Sequence, residues 1–80
     1  MPKHKKPTRR RLTAIIQPDS GGFVALCPEL DIASEGDSIE KACDNLQEAL
    51  ELFFECASEK EVARRLTGDV YVTQVEVAVG

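Results

Sequence analysis

The sequence predicts an α+β fold, a mainly antiparallel sheet of about four strands with its helices on one face, and three observations predict it. Residues 10–17, 23–27 and 70–79 alternate or favour β-branched residues in the manner of half-buried strands, whereas residues 39–54 repeat their apolar positions in steps of three and four. The run Pro18-Asp19-Ser20-Gly21-Gly22 between the first two alternations is dense in turn formers. At 80 residues the chain has room for one core only. The element order that follows is β-β-β-α-α-β.

The first strand is expected over Arg10–Gln17, with Leu12, Ala14 and Ile16 on one face and Arg11, Thr13, Ile15 and Gln17 on the other. A five-residue connection then leads to a second strand, Phe23–Cys27, which completes an antiparallel hairpin. Pro28 ends that strand because it has no N–H for a ladder. Ile32–Ser34, extending to Glu35, is expected as a short third strand, and Gly36 lets the chain turn.

The first helix carries Ile39, Ala42, Cys43, Leu46, Ala49, Leu50, Phe53 and Phe54 on one stripe, opposite Glu40, Lys41, Asp44, Gln47, Glu48, Glu51 and Glu55. Asp37 or Ser38 is its N-cap, and with Asp37 in that role Glu40 completes a capping box. Ser58 opens a second, shorter helix with Glu61 three residues on. Arg64 and Arg65 suit that helix's C-terminal dipole, and Gly68 is placed to stop it. Val70–Val79 is expected as the last strand. The expected core is Leu12, Ile16, Phe23, Ile39, Leu46, Leu50, Phe53, Phe54, Val75 and Val77. Both faces of the last strand are apolar, more than one helix layer can cover. A second copy is therefore expected to cover the excess, through sheet edges or faces, in a dimer or tetramer.

The charge is unevenly distributed. Lys3, Lys5, Lys6, Arg9, Arg10 and Arg11 give the first 11 residues +6 with no acid; the rest has four basic residues against 14 acidic ones, a balance of −10. Residues 1–8 read as an unstructured basic arm and residues 9–80 as a single domain. An acidic body repels phosphate backbones and attracts basic partners. The six cations of the arm could contact nucleic acid without sequence preference. The plainer reading is a solvated tail, because the arm has no aromatic side chain to stack on bases. Three cysteines without paired spacing do not make a disulfide framework, and no apolar run suggests a secretory signal or a membrane span, so the expected compartment is the cytoplasm.

At residues 12–54 the chain resembles the HicB-like antitoxin family. The resemblance lies in Asp19-Ser20-Gly21-Gly22-Phe23-Val24-Ala25, in Cys27-Pro28-Glu29-Leu30, in Glu35-Gly36-Asp37-Ser38-Ile39-Glu40-Lys41-Ala42, and in Asn45, Glu48, Ala49 and Leu50. It implies a partial RNase H-like fold, and it implies an antitoxin that binds a HicA-type ribonuclease toxin, itself small and basic, and neutralises it by occlusion. Many members of the family add a C-terminal DNA-binding domain. The sequence given stops at Gly80 without one, and operator binding is not expected. Where many members have a Pro-Gly-Cys-like turn, this chain reads Asp31-Ile32-Ala33.

The acids Asp19, Glu29, Asp31 and Glu35 fall in loops or at strand ends and are the expected partner contacts. An alternative makes them, with Asp37, ligands for Mg²⁺ in an RNase H-like nuclease. That site needs carboxylates converging from strand interiors, which here offer only Glu76, so turn formers, a cap and solvated surface account for these acids more simply. A second alternative is a free-standing interaction or regulatory module with no toxin. His4, the sole histidine, lies in the arm, where it gives the body no general base. Cys43 reads as a small core residue. With spacings of 16 and 13 the cysteines make a weak zinc signal. The sequence implies no enzyme activity and no cofactor.

Overall fold

The computed structural model describes residues 9–80; the expected arm at residues 1–8, with Lys3, Lys5 and Lys6, lies outside the described residues. The class is α+β. Three strands, β1 (Ile15–Asp19), β2 (Gly22–Cys27) and β3 (Ile32–Gly36), form an antiparallel sheet in the order β1-β2-β3. Two helices follow, α1 (Ile39–Cys56) and α2 (Glu59–Arg65).

The hairpin is tighter than the turn residues suggested. Asp19 pairs with Gly22, so only Ser20 and Gly21 form the connection, with φ of 48° and 83°. Positive φ at both positions is the two-residue turn whose twist matches that of the flanking strands. Pro18 lies inside β1, which an edge strand tolerates. At its other end β1 begins at Ile15 rather than Arg10. The register Ile15↔Leu26 brings the residues before Ile15 opposite the end of β2, where Pro28 has no N–H to offer.

One face of the sheet carries Ile16, Phe23, Ala25, Cys27 and Ile32, and α1 packs against it. Ala25, Cys27, Leu30, Ala42 and Leu46 are fully buried, with Leu12, Ile16, Phe23, Leu50, Phe53, Phe54 and Leu66 packed around them. Gly36 makes the close approach possible: a Cβ there would lie 2.5 Å from the backbone N of Ala42. Asn45 fastens the same contact, its Nδ2 donating to Glu35 O at 2.7 Å while Ser34 Oγ donates to Asn45 O at 3.4 Å. The N-cap of α1 is Ser38, whose Oγ accepts from Lys41 N at 3.0 Å. That excludes the capping box between Asp37 and Glu40. Ser58 caps α2 as expected, accepting from Glu61 N. The Glu61 carboxylate instead turns to Arg64 and Arg65. The helix stops at Arg65 with Leu66 as its C-cap, ahead of Gly68.

The sheet has three strands where about four were expected. Residues 66–80 form no strand in this chain, and Val75 and Val77, expected in the core, are 81% and 71% exposed. Ile39 is also half-exposed, because it starts α1 beyond the edge of the sheet. The last segment runs away from the body: the radius of gyration is 15.8 Å and the long dimension 65 Å. A compact domain of this length would have a radius of about 12 Å.

Two stability changes are expected. Gly36→Ala lowers unfolding free energy by about 1–3 kcal/mol through overpacking against α1, whereas Gly68→Ala, which meets open space, leaves the urea midpoint almost unchanged. Leu46→Ala costs about 2–5 kcal/mol in the same titration.

Candidate protein-docking surface

Residues 9–14 are not a strand, yet they are held against the body through one carboxylate. Thr13 N donates to both Glu29 oxygens, at 3.0 and 3.1 Å, and Thr13 Oγ1 donates to Oε2 at 2.7 Å. Cys27 Sγ donates to Oε1 at 3.4 Å. Thr13 lies before the β1–β2 ladder begins, and the side chain of Glu29 supplies the acceptor for its N–H. Burial alone raises the carboxyl pKa of Glu29. The hydrogen bonds from Thr13, from its own amide and from Cys27 outweigh burial and hold the group below its ordinary value. At Cys27, burial pushes the thiol up, and the hydrogen bond and charge of Glu29 push it further.

Opposite the helix, the sheet presents an open face. Alternation through the register places Ile15, Leu26 and Ala33 in one row, Gln17, Val24 and Glu35 in the next, and Asp19 beside Gly22 at the hairpin. Asp19 and Glu35 are therefore exposed on the same face at the same end, on strands flanking Val24. Asp31 is exposed at the far end, in the turn between β2 and β3, with a φ of 57° that aspartate tolerates better than most residues. The length of β2, roughly 17 Å, separates the two ends. Glu29 is half-buried and engaged as described. Among the described residues no ion pair involves Asp19, Asp31 or Glu35, and no group of three His, Cys, Asp or Glu side chains could hold a metal ion. The carboxylates that the nuclease alternative would need are not gathered.

A second face lies beside β1. Because α1 sits over β2 and β3 and scarcely reaches β1, its apolar side is left open there. Leu12 and Ala14 from the segment before β1, with Cys43, Leu46, Leu50 and Phe54 from α1, line a groove of about 850 Å³. Arg9, Arg10, Glu51 and Glu55 also line it. Arg10 and Arg11 also border a depression whose other wall is Leu66–Tyr71. All three arginines are exposed. Cys43 is half-buried at the groove, and Cys56 is exposed.

Sequence reasoning overlooked Leu30, Arg65 and the role of Glu29. Leu30 lies between β2 and β3, yet it is buried, and Arg65 Nη1 donates to its carbonyl at 2.6 Å. The Arg65 guanidinium also stands 5.4 Å from the centre of the Phe53 ring, so α2 is pinned to the β2–β3 turn. The clue in the sequence was the recurrence of apolar residues at Cys27 and Leu30, around Pro28 and Glu29. No family model, curated protein or solved structure matches this chain.

Two outcomes follow from the Glu29 cluster. A depressed carboxyl pKa contributes stability that is present above the unfolded-state value, near 4.5, and is lost as pH falls through the lower folded-state value. Glu29→Gln therefore lowers stability by about 1–3 kcal/mol at neutral pH and flattens the fall in stability below pH 4.5, measured by urea denaturation across pH. In timed alkylation of the native protein, Cys56 is modified first, Cys43 later and Cys27 last, because Cys27 is both buried and poor in thiolate.

Proposed function

We propose that the protein is a HicB-like antitoxin that binds a HicA-type ribonuclease and blocks it by occlusion, using no catalytic residue of its own. The observation that carries the reading is the pairing of a strongly acidic body with an open sheet face that carries Asp19 on β1 and Glu35 on β3 at the hairpin end, on either side of β2. Such a face offers a small basic protein an apolar strip with negative charge at its edge. The exposed acids of α1 extend the same sign of charge over the opposite side of the body. Complementary charge speeds encounter and fixes register more than it deepens affinity.

The segments that carry the family resemblance support the reading because each has a structural job. Asp19–Ala25 forms the tight hairpin, Cys27–Leu30 contains the Glu29 cluster, Gly36 and Ser38 set α1 on the sheet, and Asn45 fastens it to β3. Within the proposal, Asp19, Asp31 and Glu35 face the toxin, while Glu29 acts indirectly by holding the segment that carries Arg9, Arg10 and Arg11. Three free cysteines suit a reducing cytoplasm. No helix among the described residues is long and apolar enough to cross a membrane. The proposal also includes self-association, since a row of exposed valines follows α2.

The deciding experiment is co-expression with a HicA-type ribonuclease, followed by purification and an RNA-cleavage assay. A stable complex with suppressed cleavage is expected. An active ribonuclease that does not co-purify would refute the toxin partner and leave a free-standing interaction module. Cleavage of RNA by the pure protein with Mg²⁺ would instead promote the nuclease. In the complex, Asp19→Lys with Glu35→Lys slows association by about tenfold or more at low salt. An unchanged rate would remove this face from the interface.

A further inference from the structure

Val70–Val79 holds β-branched residues at six of its ten positions, and among the described residues it has no strand partner in its own chain. Tyr71, Val75 and Val79 are 85%, 81% and 88% exposed. Isolated in water, such a segment gains nothing from being extended. It is stable as a strand only where a sheet edge satisfies its backbone and an apolar surface takes its side chains.

The same chain carries such a place. β1 is an edge strand, and beside it the groove lined by Leu12, Ala14, Cys43, Leu46, Leu50 and Phe54 leaves the flank of α1 uncovered. Its apolar rim would accept one face of a strand. Tyr71, Thr73, Val75, Val77 and Val79 form such a face, with Val70, Val72, Gln74, Glu76 and Ala78 on the other. Glu76, the only charge on the strand after Asp69, lies on the face turned away from the groove.

The chain's own course argues that the strand and the groove belong to different copies. After α2, Leu66–Tyr71 passes beside Arg10–Thr13 and Glu29, at the start of β1. From there Tyr71, Val72, Val75, Val77 and Val79 are exposed rather than packed on the body, and the molecule reaches 65 Å in one dimension against 28 and 19 Å in the others. Ten extended residues span roughly 33 Å, so the apolar part of the segment stands beyond its own body. A strand presented outside the body, with a matching empty edge left inside it, is the geometry of reciprocal exchange.

We infer that the C-terminal segment Val70–Val79 of one copy adds as a strand along the β1 edge of a second copy, with Val75 and Val77 seated in the groove between Leu12 and Phe54. Each copy then gives a strand and receives one, and the fourth strand of the sheet comes from the neighbour. The inference rests on the self-association in the proposed function and is independent of the toxin.

The test mixes ¹⁵N-labelled and unlabelled full-length chains, unfolded and refolded together, with a photo-reactive benzophenone side chain in place of Val75. After irradiation, mass spectrometry reads which peptides are joined. Exchange predicts adducts between the C-terminal peptide of one isotope and the α1 or 9–14 peptides of the other, in the mixed proportion expected for separate chains. Adducts confined to chains of one isotope would show that the segment closes on its own groove, and adducts on other surfaces would place it elsewhere; either result overturns the exchange but not self-association. Sedimentation of the unmodified protein at tens of micromolar should show a dimer or larger species, and Val75→Asp with Val77→Asp should convert it to monomer with an unchanged circular dichroism spectrum of the α+β body. A monomeric parent protein would overturn both the exchange and the self-association. An oligomer that survives the double substitution would overturn the exchange alone.

Discussion

The carboxylate of Glu29 replaces a piece of missing β-sheet, and much of the molecule depends on that replacement. β2 ends at Cys27, and the chain before Ile15 joins no ladder there, so the Thr13 N–H needs an acceptor from elsewhere. Glu29 accepts from the N–H and hydroxyl of Thr13 and draws Leu12 and its neighbours against α1. Its Oε1 also receives the Cys27 thiol, whose pKa is raised first by burial and further by Glu29. One side chain thus links the end of β2, the entry to β1 and the wall of the groove. A small domain with five fully buried residues has little margin in its core, and such polar ties carry a larger share of its order.

Around that tie the helices are held by short-range chemistry of the same kind. Gly36 gives α1 room to approach β3, and Asn45 converts the approach into a hydrogen-bonded fit. Arg65 then fixes α2 to the carbonyl of Leu30 and to the ring of Phe53, itself edge-to-face with Phe54 at 5.3 Å. Each contact turns a loop or a helix end into a defined position. Together they settle α1 over β2 and β3 and leave the β1 side of the sheet open.

Local pattern made the hairpin, the third strand and both helices legible, since period-two and period-3.6 repeats report directly on which side of an element is apolar. It also indicated Ser58 as a cap and Phe23 to Cys27 as the second strand. It did not reveal that Asp19 would pair with Gly22, because the same turn residues suit a two-residue or a five-residue connection and only the opposing strand decides between them. Glu29 was legible as an acid in a loop, though its partner Thr13, 16 residues away, is named only by the fold. The four acids shared that limit. Spacing put Asp19, Glu29, Asp31 and Glu35 in loops and strand ends, and only the register divides them into a pair at the hairpin, an exposed turn residue and a structural carboxylate.

The last strand shows where pattern reading stops for a physical reason. Alternating β-branched residues state that a segment is stable beside a sheet edge, and nothing in that preference says which molecule supplies the edge. A chain that closes on itself and one that exchanges strands satisfy the same backbone groups and bury the same valines. What separates them is the path between α2 and the segment. That path passes the start of β1 at Leu66–Tyr71, beyond which the segment is exposed, so among the described residues its preference for an edge is unmet and the outer edge of β1 is unpaired. Two unmet requirements of complementary shape on one chain are most economically met between two copies of it, because reciprocal exchange in a closed dimer meets both at once.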